Sequence, residues 1–439
     1  MEQLKLGIGS DPECLFEALT GQAFLRLAFK KVKANRGKPG PDGQTISDFD
    51  ADWEANLATL RDELIDWSYK PGPVRRVMLP KPNGGQRPLG IPNVRDRIVQ
   101  QALAMLLSPL FEPRFSDHSH GFREGRSQRS AIEEGAAYVK EGKQWVVDLD
   151  LARFFDTVNR DRMINLLRSQ VSDKRIIRLV GDVQRCGVLV DGKVVKTRVG
   201  LTQGSPLSPL LSNIVLHELD EELERRNLSF VRYADDTNIY VGSEKAAERV
   251  LESVTRFIEK KLKLEVNRSK SKTGLSSAVK FLGMVILICG SVAISNQAMS
   301  KAYAKLKELI PRGGQSNLST QINEVNTWYR GWSSYFAVGE YPGQLKNIEA
   351  RMRTRFRVQF IKNHKRKKHL LRKLVQLGAK RSGAYDQLYK RNHGRWKLAH
   401  VYCVYSTWST TWFDEKRMYR ASGQDHPNWK DLKAYPKIL

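Results

Sequence analysis

The spacing of apolar residues divides the first half of the chain into helices and strands of ordinary length. Helical intervals run through residues 1–70, apart from a turn-rich stretch at 37–43. The same spacing predicts helices over 96–112, 206–226 and 244–263. Helices are therefore expected to make up much of this half.

Alternating and β-branched residues predict strands between these helices. Residues 74–92 fit a β-hairpin with its turn at Asn83-Gly84-Gly85, because these residue types tolerate tight turns. A second hairpin is predicted over 187–203, a single strand over 144–150 and further strands near 279–295. Hairpins mixed with helices predict an α+β fold.

Beyond residue 298 the pattern becomes almost wholly helical, and the composition changes with it. Residues 301–400 hold 23 Lys and Arg but only 5 acidic residues. We therefore expect a boundary between modules near 290–300. At 439 residues the chain is long enough for about two to four domains.

The formal net charge of the whole chain is +27, which indicates a polyanionic partner. Tryptophan and tyrosine lie among the basic residues, and the basic run 351–373 is not arranged around one apolar stripe. This arrangement favours nucleic acid over a membrane surface as the partner. No membrane partner is expected, because no apolar run is longer than 284–289, which is far too short to span a bilayer.

The cysteines are few and far apart, which bears on both metal binding and compartment. No Cys-x-x-Cys pair occurs, so a zinc-bearing nuclease or finger is not supported. Separated thiols and the lack of a basic-then-apolar leader indicate a reducing compartment, so we expect a cytoplasmic protein. The four residues are Cys14, Cys186, Cys289 and Cys403.

Two adjacent acids, Asp235 and Asp236, lie between strand-like flanks in Tyr233-Ala234-Asp235-Asp236. Neighbouring carboxylates repel, so their presence at a tight turn indicates a cation between them. The alternative is a solvated turn rich in aspartate.

Phosphoryl transfer with two metal ions needs carboxylates from a second element. Asp148 and Asp150 fall on one face of the strand predicted over 144–150, because side chains alternate along a strand. Spacing alone does not choose between them.

Several ordered motifs together carry a family resemblance. They are Pro41-Asp42-Gly43, Leu79-Pro80-Lys81-Pro82, Arg87-Pro88-Leu89-Gly90-Ile91-Pro92, Gly121-Phe122-Arg123, Asp150 with Phe154-Phe155-Asp156, Gln203-Gly204-Ser205-Pro206-Leu207-Ser208-Pro209, Tyr233-Ala234-Asp235-Asp236, Asn267 with Lys270, and Phe281-Leu282-Gly283. Over nearly its whole length the chain resembles a group II intron-encoded reverse transcriptase/maturase.

The resemblance implies a right-hand polymerase. Fingers and palm are expected over 1–295, an α-helical thumb or maturase domain over 296–370, and a basic C-terminal extension over 371–439. The implied activity is RNA-directed DNA polymerisation on an RNA template with a DNA primer and dNTPs. Binding of the parent intron RNA, to assist splicing and mobility, is implied as well.

The resemblance also assigns residues to the polymerase site. In this family the first metal-binding acid lies five residues before an aromatic under the nucleotide sugar, which selects Asp150 and Phe155. It implies that Asp150, Asp235 and Asp236 hold two Mg²⁺ ions. Lys270 is a candidate general acid for the leaving pyrophosphate. The residues expected to bind the dNTP are Lys81, Arg87, Phe155, Gln203 and Lys270.

Residues beyond the last polymerase motif are candidates for RNA contact. Residues 326–336 resemble the thumb of these proteins, with Trp332 and Phe336 expected in its core. The basic run is expected to contact phosphate without reading sequence. Its members are Arg351, Arg353, Arg355, Arg357, Lys362, Lys365, Arg366, Lys367 and Lys368.

No His/Cys nuclease pattern follows residue 370, so target cleavage by this chain is not expected. The tail is assigned only as a nucleic-acid-binding extension, with target DNA as a candidate partner. A bacterial cytoplasmic location is expected, and nucleoid association is left open. Two alternatives stand beside the main interpretation: a host-adopted reverse transcriptase used in phage defence or repair, and a non-catalytic splicing factor. The complete aspartate set argues against the second alternative.

Overall fold

The computed structural model describes residues 14–80, 84–195, 199–313, 317–364, 366–390 and 393–423. Contacts divide the chain into two units. Unit 1 comprises residues 1–131 and 145–274, and unit 2 comprises residues 132–144 and 275–439.

Unit 1 combines helices with two four-stranded sheets. Its helices are α1 (Leu15–Thr20), α2 (Gln22–Ala34), α3 (Ile46–Ala51), α4 (Trp53–Ile65), α5 (Val94–Phe111), the start of α6 (Gln128–Lys140), α7 (Phe154–Thr157), α8 (Arg160–Arg168), α9 (Lys174–Arg185), α10 (Ser208–Arg225) and α11 (Glu244–Phe257). A 3₁₀ turn (Glu112–Arg114) follows α5, and a π-helical turn (Ile258–Leu262) follows α11. Its strands are β1 (Val74–Pro80), β2 (Gln86–Ile91), β3 (Trp145–Leu149), β4 (Val188–Val190), β5 (Lys193–Val195), β6 (Ser229–Tyr233), β7 (Asp236–Val241) and β8 (Lys272–Leu275).

The first sheet has the order β2-β1-β4-β5 and contains both predicted hairpins. β1 and β2 pair antiparallel from Arg75 opposite Ile91 to Pro80 opposite Gln86. β4 and β5 form the second hairpin, and β4 runs parallel to β1. Asn83 of the predicted turn lies outside the described residues.

The second sheet has the order β6-β7-β3-β8. β7 is its centre: it pairs antiparallel with β6 on one side and with β3 on the other. This arrangement brings the end of β3, just before Asp150, level with the β6–β7 turn, because Leu149 lies opposite Thr237. The sheet thereby brings the two predicted acidic elements together at one end of its strands.

One hydrophobic core joins these layers. Apolar faces of α2, α5 and α10 pack with the buried faces of β3, β6 and β7, and residues such as Leu103, Val147, Leu211 and Phe230 are fully excluded from solvent. Helix ends follow local capping chemistry: the Asn159 side chain accepts from the backbone of Arg162 at the start of α8, and Ser243 does the same for α11. The helix predicted to open near Asp161 is therefore confirmed.

Unit 2 is mainly helical. It contains most of α6, a three-stranded sheet and the helices that follow. The strands are β9 (Lys280–Phe281), β10 (Met284–Ile286) and β11 (Val292–Ile294); the helices are α12 (Asn296–Leu309), α13 (Leu318–Tyr335), α14 (Pro342–Asn363), α15 (Lys367–Gln376), α16 (Arg381–Tyr389), α17 (Arg395–Leu398), α18 (Tyr402–Thr407), α19 (Thr410–Glu415) and a 3₁₀ turn (Ala421–Gly423).

The contacts do not divide near 290–300, where a linker was expected. β11 leads directly into α12 through Ser295, whose side chain accepts from Ala298 N at the start of the helix. The division falls instead between 274 and 275. The reason is that β9, β10 and β11 form a sheet of their own within unit 2.

Residues beyond 370 are also built into unit 2 rather than set apart. Phe413 packs on Phe356 of α14 with ring centroids 5.8 Å apart. Glu349 of α14 is buried and accepts hydrogen bonds from Tyr329 Oη at 3.0 Å and from Ser422 N at 2.8 Å. The expected boundary at 370/371 is therefore crossed by both apolar and polar packing.

Candidate active site

The β6–β7 hairpin turns through two residues, Ala234 and Asp235. Tyr233 pairs with Asp236 across the turn, and Ala234 has a φ of +57°, a left-handed conformation that is costly for a residue with a side chain. Asp235 is half-buried and the Asp236 side chain reaches solvent. The turn therefore holds both acids at the end of strands β6 and β7.

Gly121 lies directly against this turn. A Cβ at position 121 would overlap the backbone nitrogen of Ala234 and lie 3.0 Å from the carbonyl carbon of Tyr233. Asn213 Nδ2 donates to the Gly121 carbonyl at 2.8 Å. The Gly121-Phe122-Arg123 motif, to which the sequence assigned no role, thus supplies the close backbone support of the acidic turn.

Asp150 follows β3 and is held by residues just before β8. Its backbone N donates to Ser271 Oγ at 3.0 Å, and its Oδ1 accepts from Asn267 Nδ2 at 3.0 Å. The Lys270 ammonium lies 3.3 Å from Oδ2. Asn267 and Ser271 thus orient Asp150, a role that was not predicted from the sequence. The signal for it is an Asn, a Lys and a Ser grouped between the π-helical turn and β8.

Negative charge accumulates around Asp236. Partial burial, which removes water from the carboxylate, and then repulsion from Asp235, Asp150 and Asp148 raise the pKa of Asp236 to about 6. Its side chain still reaches solvent. Lys270 opposes this rise. Asp235, Asp150 and Asp148 are therefore close enough to act on the charge of Asp236.

This donor set suits a divalent cation, because repulsion among carboxylates is relieved by a dication. Among the described residues, however, no three His, Cys, Asp or Glu side chains already stand at metal-ligating spacing. Lys270 contributes the nearby positive charge at Asp150 instead. Residues that would hold Mg²⁺ are thus grouped but not closed around a common point.

The predicted nucleotide-binding residues occupy different parts of unit 1. Arg87 lies on β2, opposite Leu79, and its side chain is exposed; Lys81 lies outside the described residues. The Gln203 carbonyl accepts from Gly90 N at 2.7 Å, so the turn before α10 docks on the β1–β2 hairpin. Gly204 has a φ of +100°, and a Cβ there would lie 2.6 Å from the Gly90 carbonyl.

Phe155 is the second residue of the short helix α7 and is half-buried. Its ring meets Phe154 edge-on, with centroids 5.4 Å apart, and its carbonyl accepts from Leu201 N at 2.6 Å. Phe155 is therefore fixed from the backbone side while part of its ring remains accessible.

The predicted basic run in α14 and α15 separates into buried and exposed members. Two of its arginines are corrected here from RNA contacts to structural residues. Arg355 is buried and donates through Nε to the Ile310 carbonyl at 2.9 Å. Arg357, only 2% exposed, donates to the Trp408 carbonyl at 2.9 Å. Both serve buried carbonyl groups that have no helical partner.

The other members of the run remain candidates for RNA contact. Arg351 stacks over Trp396 at 4.3 Å and Lys367 lies over Tyr389 at 5.4 Å. Burial lowers the pKa of Arg353. Lys362, Arg366 and Lys368 are exposed, and Lys365 lies outside the described residues.

The Phe281-Leu282-Gly283 motif forms a tight turn in unit 2. Leu282 and Gly283 both have positive φ, and Tyr335 Oη donates to the Leu282 carbonyl at 3.1 Å. A cavity of about 390 Å³ is lined by this turn and by aromatic residues of α13. The rings of Trp332 and Phe336 meet there at a tilt of 41°, with centroids 4.6 Å apart; Phe336 is buried as expected, and Trp332 is half-buried.

Two further expectations concern the state of the cysteines and the presence of membrane-spanning helices. All four cysteines are free thiols within the described part of the chain. None of the described helices has both the length and the apolar character needed to cross a membrane.

Comparison with known proteins gives two family matches. The family model for reverse transcriptase (RNA-dependent DNA polymerase) matches residues 79–286. The model for the group II intron maturase-specific domain matches residues 299–376. Both matched regions follow the order expected from the motifs.

Three similar proteins illustrate the relationship. Protein YkfC of Escherichia coli (strain K12) is 34% identical over 298 residues, covering 59% of this chain and 78% of YkfC. The group II intron-encoded protein LtrA of Lactococcus lactis subsp. cremoris is 29% identical over 346 residues, covering 63% of this chain and 57% of LtrA. A chain of the solved partial Cas6-RT-Cas1–Cas2 complex is 23% identical, covering 56% of this chain and 42% of its own, with a TM-score of 0.36.

The acidic motifs meet at one end of the second sheet, and a maturase-specific domain follows the reverse transcriptase domain. The chain therefore belongs to the group II intron-encoded reverse transcriptase/maturase family.

Proposed function

We propose that this RNA-directed DNA polymerase works through two Mg²⁺ ions held by Asp150, Asp235 and Asp236. The observation that carries the proposal is that the pairing of β3 with β7 brings Asp150 level with the Asp235–Asp236 turn, where burial and then repulsion from neighbouring carboxylates raise the pKa of Asp236 to about 6. Such a site binds divalent cations because they relieve the repulsion. When bound, the ions activate the primer 3′-hydroxyl and stabilise charge on the reacting phosphate.

Neighbouring side chains prepare this site. Asn267 orients the Asp150 carboxylate by its hydrogen bond, and Lys270 lies beside the same carboxylate. From this position Lys270 is the candidate proton donor to the leaving pyrophosphate. Asp148, on the same strand, adds negative charge without an assigned ligand role.

The incoming nucleotide is bound by residues around the β1–β2 hairpin. Arg87 on β2, together with Lys81, neutralises the triphosphate as negative charge develops. Gln203, on the turn that docks against Gly90, contacts nucleotide and template. Phe155 lies beneath the sugar and rejects a 2′-hydroxyl by contact.

The polymerase proposal is tested by Asp235→Asn, which removes one charge and keeps the side-chain shape. The variant should lose dNTP incorporation on an RNA template with a DNA primer, while its affinity for RNA changes little. Asp161→Asn, at an exposed acid in α8, is the matched control. Full activity in Asp235→Asn would overturn the two-metal assignment.

A second function is supported by the maturase-specific match over residues 299–376 and by the exposed Lys362, Arg366 and Lys368. The protein binds the structured RNA of its parent group II intron and helps it to fold, splice and move, with target DNA as a candidate further partner. Exposed cations suit RNA because most protein contacts to structured RNA go to phosphate.

The RNA that flanks the reading frame provides the test of this second function. It should splice at low Mg²⁺ concentration when the protein is added and fail to splice without it. Asp235→Asn should still support splicing, because the residues proposed to bind the metal differ from those proposed to bind RNA. An active polymerase that promotes no splicing would favour a host-adopted reverse transcriptase instead.

A further inference from the structure

Arg232 has no exposed surface and is, with Arg357, among the largest fully buried side chains in the described part of the protein. It lies in β6, two residues before Ala234, and its backbone is fixed on both sides. Arg232 N donates to the His118 carbonyl at 2.9 Å, and His120 N donates to the Arg232 carbonyl at 2.8 Å. A buried guanidinium beside the acidic turn requires a physical reason, because desolvating a charge is costly.

The guanidinium is held by two residues of α10. Nε and Nη2 donate to the two carboxyl oxygens of Asp220 at 2.7 and 2.6 Å, and Asp220 is also fully buried. Nη1 donates to Asn213 Oδ1 at 3.0 Å. Asn213 and Asp220 are two helical turns apart, so both side chains come from one face of α10.

The remaining contact of Nη1 is with the Ala234 carbonyl, at 3.0 Å. Ala234 is the left-handed residue of the turn, and its carbonyl belongs to the peptide that leads into Asp235. Asn213 meanwhile donates to the carbonyl of Gly121, the residue packed against the same turn. One buried cluster therefore contacts the turn directly through Arg232 and indirectly, by way of Asn213, through Gly121.

A buried ion pair adds less stability than apolar residues of the same size would, so stability alone is a weak reason to keep it. The fork of a guanidinium can, however, fix several acceptors at once in one plane. We propose that Arg232, anchored by Asp220, is a positioning residue that orients the Ala234–Asp235 peptide and thereby aims the Asp235 and Asp236 carboxylates at the metal site. This inference rests on the proposed two-metal function.

The test replaces the pair without leaving an unpaired charge. Arg232→Met combined with Asp220→Leu keeps the volume apolar and removes the grip on the Ala234 carbonyl. Mn²⁺ serves as the probe for the metal, and its binding is measured by electron paramagnetic resonance in the absence of nucleic acid. We expect a cooperative melting transition close to that of wild type and Mn²⁺ binding weakened by about tenfold or more, the scale for residues that orient metal ligands.

A second ion pair on α10 is the matched control. Arg162 donates to both carboxyl oxygens of Glu218 at 2.9 and 2.7 Å, and its other nitrogen donates to the Lys261 carbonyl rather than to the turn. Arg162→Met with Glu218→Leu should leave Mn²⁺ binding unchanged. Equal Mn²⁺ affinity in both double variants and wild type would overturn the positioning role.

Arg232→Lys keeps the inference testable where the apolar double variant fails to fold. Lysine preserves the buried charge pair but cannot bind both Asp220 oxygens and the Ala234 carbonyl together. The folded Lys variant should also bind Mn²⁺ about tenfold more weakly, and wild-type affinity in it would refute the proposal. Absence of dNTP incorporation by the wild-type protein would instead count against the proposed function. Failure of the positioning role and failure of the proposed function are therefore distinguishable.

Discussion

The Lys270 ammonium lies 3.3 Å from Oδ2 and 3.4 Å from Oδ1 of Asp150, a residue 120 positions earlier in the chain. A residue assigned to proton transfer and a residue assigned to metal binding are therefore direct partners. In the proposed mechanism the same carboxylate serves both the lysine and a divalent cation, so the two cations would compete.

Lys270→Met should separate these roles. Removing the competing charge should tighten Mn²⁺ binding by up to about fivefold, the scale of an exposed ion pair. Loss of the proton donor should lower dNTP incorporation by about 10²- to 10⁴-fold. Mn²⁺ titration and single-turnover kinetics measure the two effects, and Lys272→Met, at an exposed lysine of β8, is the control. Unchanged incorporation would remove Lys270 from proton transfer.

Metal binding should depend on the protonation of Asp236. Its pKa is raised to about 6, so the carboxyl takes up a proton as the pH falls through that value. A protonated carboxyl cannot hold a cation, and each pH unit below about 6 should weaken Mn²⁺ binding up to about tenfold. Asp236→Asn should bind weakly at every pH and lack this break. Constant wild-type affinity down to about pH 5 would contradict the assignment.

Gly121→Ala should damage the acidic turn without touching an acid. The new methyl group would overlap Ala234 N and force the turn to move. Displacements of this size cost about 10²-fold in rate, so dNTP incorporation should fall accordingly. Gly242→Ala is the control. Gly242 follows β7 at the end opposite the acidic turn, and a Cβ there meets nothing within 4 Å. Equal activity of the two variants would show that the close approach is not needed.

Phe155→Val should relax the choice of sugar. A smaller side chain opens space beneath C2′ of the nucleotide, so ribonucleotide incorporation should rise relative to dNTP incorporation. Phe154→Leu, at the buried neighbour, should affect stability more than selectivity. Competition assays with paired rNTP and dNTP substrates provide the measurement. Unchanged selectivity in a folded Phe155→Val protein would reopen the choice between Asp148 and Asp150.

Replacing Lys362, Arg366 and Lys368 together with glutamine should weaken binding to structured RNA. The slope of log K against log salt should flatten by up to about 0.9 for each lost phosphate contact on duplex, and by somewhat less on single strands. Synthesis on a short, saturating primer–template should survive better. Identical slopes would mean that these side chains do not meet phosphate.

Arg357→Met is the contrasting variant for this experiment. Arg357 is buried, and its loss leaves the Trp408 carbonyl without its donor. A lower melting temperature is therefore expected, without a specific change in the salt slope. The contrast distinguishes a structural arginine from the candidate RNA-binding cations of the same basic run.

The local elements could be predicted from the sequence, which also supplied the candidates for the catalytic aspartates. Both predicted hairpins of the first sheet and the helix that opens near Asp161 are present, because turn residues and caps act within a few positions along the chain. Asp150, Asp235 and Asp236 were found from short motifs. Their proximity followed once β3 and β7 were placed in one sheet.

Charge and composition could not distinguish the arginines of α14. Arg355 and Arg357 belong to the same basic run as the exposed Lys362, but the helix turns them toward Ile310 and Trp408. The sequence shows that a guanidinium is present; only the packed structure decides whether carbonyl groups or solvent surround it.

The sequence by itself determined the family, the order of its motifs and the candidate acids of the polymerase site, because these depend on residue identity at fixed spacing. Tertiary structure alone decided that Lys270 pairs with Asp150, that Gly121 supports the acidic turn and that Arg232 grips it through Asp220. The physical reason is that each of these contacts joins residues that are distant along the chain, and the contact of Arg232 with Asp220 also joins two buried charges. Their partners are set by how the sheets and α10 pack, which no local pattern specifies.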